Sequence, residues 1–73
     1  MAGTRSEIVE EFERFLRSSF PDFKWELKEA VPRSNGWYRV TYLLRHKFEF
    51  QYQQGIYFIR KNEDNSWSFY RVG

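Results

Sequence analysis

The side chains able to carry acid–base or metal chemistry are few and scattered. His46 is the only histidine, there is no cysteine, and the ten carboxylates are spread along the chain. A nucleophile–base pair needs Ser or Cys near an imidazole. His46 instead falls within an apolar alternation, where a packed ring is the ordinary reading. No glycine-rich phosphate loop and no ligand cluster with metal spacing occur, so the expectation is a non-enzymatic chain without cofactor or metal. What remains is binding chemistry. Arg39, Arg45, Lys47 and Lys61 share their register with Trp37 and Tyr57, and rings beside cations are the usual means of holding single-stranded nucleic acid or another polyanion. A solvated charged surface is the plainer account of the same residues.

The remaining aromatic residues decide how these groups are positioned. Eight Phe, five Tyr and three Trp in 73 residues are a large supply of rings. A chain this short has room for one domain, expected over 1–73, and a domain of about 60 residues buries only roughly 60% of the surface its unfolded form exposes. Large rings suit a thin core, and they suit interfaces equally well. The net charge of +2 is uneven: five basic and seven acidic residues over 1–31, seven basic and three acidic over 32–73. No apolar run reaches membrane-spanning length and no secretory signal opens the chain, so a cytoplasmic protein away from membranes is expected.

Thr4-Arg5-Ser6-Glu7 has capping-box spacing after a start, Met1 to Gly3, that reads as frayed. Ile8, Phe12, Phe15 and Leu16 follow at helical spacing, which predicts a helix over about 5–19, stopped by Pro21. The period then becomes two. Phe23, Trp25 and Leu27 alternate with charged residues in a strand over about 22–30, and Pro32 to Gly36 reads as a turn. From Tyr38 to Tyr52 every even position except His46 is apolar. That unbroken parity predicts one long strand over 37–52, bent near 45–47, with a three-residue turn there as the alternative. Gln53-Gln54-Gly55 then fits a hairpin loop, followed by strands over about 56–61 and 66–72.

These elements compose an α+β fold of one helix packed on a curved four-stranded antiparallel meander, in the order α-β-β-β-β. On this register Ile56, Phe58, Trp67 and Phe69 join the helix-covered face. Tyr57, Ile59, Tyr70 and Val72, with Trp37 and Leu43, form a second apolar stripe on the uncovered face. A one-residue change of phase, for instance through a bulge at Gly55, places Ile56 and Phe58 outside instead. An apolar outer patch survives in either register, and such patches mark interaction sites.

Phe20-Pro21-Asp22-Phe23-Lys24-Trp25-Glu26 and the closing Tyr57-Phe58-Ile59-Arg60-Lys61 and Trp67-Ser68-Phe69-Tyr70 resemble the first strand and final hairpin of nuclear-transport-factor-like rolls. The order of elements resembles the cystatin-like rolls as well. The resemblance implies a curved sheet wrapped on a helix and association through that sheet. It does not carry over pocket chemistry, because the extra helices that close such pockets are missing. Nor does it carry protease inhibition, because the Gln-x-Val-x-Gly hairpin is missing and no proline precedes Trp67. The expected function is a small protein-binding domain using its uncovered face, with a second copy as the simplest partner. Polyanion binding is the alternative. An engineered scaffold without an evolved ligand is a further one, against which the irregular Ser18-Ser19, His46 and Gln53-Gln54 argue.

Overall fold

The computed structural model describes residues 3–72. One helix, α1 (Arg5–Ser19), lies against four antiparallel strands: β1 (Phe23–Pro32), β2 (Trp37–His46), β3 (Gln53–Lys61) and β4 (Trp67–Arg71). The sheet order is β1-β2-β3-β4, so each strand pairs with its neighbour in sequence. Of the frayed start expected for residues 1–3, residues 1 and 2 lie outside the described residues, while Gly3 is buried against Lys61 and Trp67.

The capping box sets the start of α1. The Thr4 hydroxyl accepts from the Glu7 amide, and the Glu7 carboxylate accepts from the Thr4 amide, both at 3.2 Å. At the other end the Phe20 amide donates back to Leu16 O before Pro21 turns the chain. Lys61 ties this helix to β3, its ammonium donating to the Glu7 carboxylate at 2.7 Å. That bond, with the Thr4 amide and the Lys61 charge, holds the Glu7 carboxyl below its ordinary value.

Ile8, Phe12 and Leu16 are fully buried, as are Val40 and Ile59 on the sheet beneath them, with Ala30, Tyr42 and Tyr57 completing the core. Rings do much of the packing. Phe12 meets Tyr42 edge-on at 5.3 Å and Tyr57 at 5.6 Å, and Phe15 stacks on Phe69 at 4.5 Å. Phe23, Trp25 and Leu27 line the same side of β1, but an extra residue at Lys28 shifts the register between Leu27 and Glu29. Beyond that bulge the buried residue is Ala30, and Val31 turns to the opposite face. The expected turn before β2 forms with Asn35 at φ 59° and Gly36 at φ 79°, both in the left-handed region.

The long strand expected over 37–52 is one strand, β2, followed by a loop over 47–52. β2 ends at His46, and the Lys47 amide donates to Asp22 O in continuation of the β1 pairing. The Glu49 amide then closes a turn onto His46 O. Phe48 and Phe50, expected on the covered face, are 79% and 98% exposed, and Tyr52 is exposed as well. Arg45 holds the loop from one side, donating to Glu49 O and lying 5.3 Å from the Tyr52 ring. His46 holds it from the other, packed on Phe23 and Phe48 and accepting from the Phe48 amide.

Gln53-Gln54-Gly55, expected as a hairpin loop, is the first part of β3. Gln53 pairs with Leu44, Gln54 with Leu43 and Gly55 with Tyr42. The glycine is there for close approach: a Cβ at position 55 would lie 2.8 Å from Tyr42 Cε1 and closer still to the phenol oxygen. Tyr42 thus packs flat over a strand residue without a side chain, an arrangement also seen where aromatic rings cover strand glycines.

Burial, reinforced by Tyr57 and opposed by Arg71, pushes the Tyr42 phenol above its ordinary value of 10.0. A folded value above the unfolded one means that the fold favours the neutral phenol. Its contribution is complete below about pH 10 and is lost as pH rises through the folded value. Urea midpoints of the wild type should therefore fall more steeply above about pH 10 than those of Tyr42→Phe, and parallel curves would refute this.

Candidate binding face

The helix covers one side of the sheet, and among the described residues no element covers the other. On β2 the residues turned away from the helix are Trp37, Arg39, Thr41 and Leu43. They pair across β3 with Arg60, Phe58, Ile56 and Gln54 respectively. On β4 the partners are Ser68 beside Arg60 and Tyr70 beside Phe58, and the Val72 amide bonds to Ile56 O. On β1 the neighbours are Val31 beside Arg39, Glu29 beside Thr41, Glu26 beside Leu43 and Lys24 beside Arg45.

Four of the six residues expected in the apolar stripe stand here: Trp37, Leu43, Tyr70 and Val72. Tyr57 and Ile59 do not. Both are buried under α1, and Ile56 and Phe58 take their places outside. The cause is the position of the β2–β3 turn. With Leu44 opposite Gln53, even residues on β2 face odd residues on β3, whereas a turn at Gln53–Gly55 would have matched even with even. Tyr70 and Val72 remain outside because β4 pairs Ile59 with Phe69 and Lys61 with Trp67, which keeps Trp67 and Phe69 on the helix side.

The expected cationic set divides in the same way. Arg39 and Arg45 lie on the open face. Lys61 is on the helix side, bonded to Glu7 and near the Trp67 ring, and Lys47 sits in the turn after β2, 3.3 Å from Asp22. Arg60 and Lys24 take part instead, and Arg33 stands at the rim. Cations on this face, five with Arg33, outnumber the two carboxylates, Glu26 and Glu29, both of which belong to edge strand β1.

Cations and rings are interleaved. The Arg60 guanidinium lies 5.0 Å from the centre of the Trp37 ring, a cation–π contact. Arg39 stands between Val31 and Phe58, with Nη2 3.7 Å from Glu29, while its Nε is buried without a hydrogen-bond partner. An open groove of about 510 Å³ runs along the upper end, lined by Arg33, Ser34, Trp37, Phe58, Phe69 and Tyr70. Lys24, Val31, Arg33, Ile56, Phe58 and Arg60 were absent from the expected set. The alternative phase of β3 already placed Ile56 and Phe58 outside, although the turn before Gln53 and not a bulge at Gly55 is the cause, whereas Val31 depends on the β1 bulge, which no residue pattern announces.

Among the described residues, no three His, Asp or Glu side chains converge as metal ligands, and no helix is long and apolar enough to cross a membrane. Compared with known proteins, the chain matches no protein family, no curated protein and no solved structure. The likeness to cystatin-like and nuclear-transport-factor-like rolls is thus carried by the sequence pattern alone.

Proposed function

We propose that this is a small non-enzymatic protein-binding domain whose contact surface is the uncovered sheet face, with a second copy of the chain as its simplest partner. The observation that carries the reading is the composition of that face. Trp37, Tyr70, Arg39 and Arg60 gather around Phe58 and Ile56, and Trp, Tyr and Arg dominate the centres of protein interfaces. Size is consistent with it. A stable association takes about 800 Å² from each partner, and a molecule of 40 × 20 × 18 Å offers roughly that footprint only along its long face.

Two copies meeting through this face bring like charges together, so the association has a particular salt dependence. Sedimentation equilibrium should show a reversible dimer that strengthens between about 50 and 500 mM salt as the cations are screened. Ile56→Lys should leave a folded monomer. A monomer at every salt concentration up to several hundred micromolar protein, roughly the level at which weak contacts appear, would sink the reading.

A further inference from the structure

We infer that the same face also takes single-stranded nucleic acid, bases stacking on Trp37, Phe58 and Tyr70 while Arg33, Arg39 and Arg60 hold the phosphates. This rests on the uncovered face being the working surface, and it adds a second class of partner, which competes with a second copy for the same residues. The sheet register supplies the argument. Trp37 opposite Arg60 and Arg39 opposite Phe58 make a checkerboard of two rings and two guanidinia, and Tyr70 extends it onto β4.

Neighbouring strands are about 4.8 Å apart, and alternate residues along one strand about 7 Å, so successive rings lie within reach of successive unstacked bases. The groove beside Trp37, Phe58 and Tyr70 is bordered by Arg33, and its 510 Å³ falls in the range of sites that take a small flat group. The buried, unpartnered Nε of Arg39 and its long contact with Glu29 leave that guanidinium short of acceptors. Its outer nitrogens, held only by that long contact, are the ones a phosphate oxygen would meet. Both carboxylates of the face sit on β1; Phe58 and Tyr70 lie on β3 and β4 away from them, while Glu29 reaches only Arg39 on β2. An acidic polypeptide would satisfy the cations but leave the three rings without stacking partners.

The test is fluorescence anisotropy with labelled oligothymidylate and oligoadenylate of about twelve nucleotides, a length within the usual single-strand site sizes. Binding should appear at low salt and weaken roughly twentyfold between about 50 and 200 mM salt if three phosphates are engaged. Tyr70→Ala and Arg60→Gln should each weaken it about tenfold with circular dichroism unchanged, whereas Lys47→Gln, off the face, should change it less than about twofold. Absence of binding at the lowest salt overturns the inference. So does equal competition by polyglutamate, which would leave an acidic protein as the partner, or an equal loss in Lys47→Gln. Sedimentation of the same samples separates the two readings. A dimer that ignores oligonucleotide overturns this inference alone, and absence of both dimer and complex removes the face as a working surface.

Discussion

Gly55→Ala should destabilise the fold by about 3 kcal/mol, a large part of the roughly 4–10 kcal/mol expected for a domain of this size. The added methyl has nowhere to go. It would meet the Tyr42 ring from Cε1 to the phenol oxygen, and that ring is fixed between Phe12 at 5.3 Å and Tyr57 at 5.8 Å. Relief requires Tyr42 to leave the core or β3 to pull away from β2. The thermal midpoint should fall by roughly 10–20 °C. In a Tyr42→Leu background the same substitution should cost much less, because the clash belongs to the pair rather than to either residue. A change within about 0.5 kcal/mol in the wild type would mean that Gly55 does not lie under Tyr42.

The second large effect concerns the opposite faces of one strand. Ile59→Lys should unfold the domain, whereas Ile56→Lys, three residues earlier, should leave it folded. Ile59 is fully buried beneath α1, and an unpaired ammonium there costs more than a small domain can supply. Ile56 stands on the open face between Thr41 and Val72, where a lysine chain can reach water. Far-ultraviolet circular dichroism and urea titration of both variants decide between the two registers of β3. A folded Ile59→Lys beside an unfolded Ile56→Lys would restore the register with Ile59 outside.

The same contrast shows what the residues alone could and could not reveal. The helix was legible from end to end because its signals are local: the Thr4–Glu7 box, the spacing of Ile8, Phe12 and Leu16, and the stop at Pro21. So were four strands and their order. The register of β3 was not, since it depends on where a turn falls, and two misleading patterns hid that turn. Phe48, Phe50 and Tyr52 continue the even parity of β2 although they stand in an exposed loop, so their alternation is not a pleat. Gly55 looks like a turn glycine but serves a close ring contact inside a strand. A glycine's role depends on what lies opposite, which is long-range information. The outer stripe changes with that register, Tyr57 and Ile59 moving inward and Ile56 and Phe58 outward. Tyr70 and Val72 kept their place because the β3–β4 pairing compensated.

The separation of charge across the sheet bears on kinetics. Glu7, Glu10, Glu11 and Glu13 lie on the helix, while Arg39, Arg45 and Arg60 project from the opposite side of the strands. With the helix glutamates nearly balanced by Arg5, Arg14 and Arg17 on the same element, the positive excess of the molecule is concentrated on the open face, although its net charge is only +2. In the field of an anionic partner that uneven placement exerts a torque, turning the open face forward while the two are still separated by water. Orientation, which ordinarily limits the rate of encounter, would then be partly settled before contact.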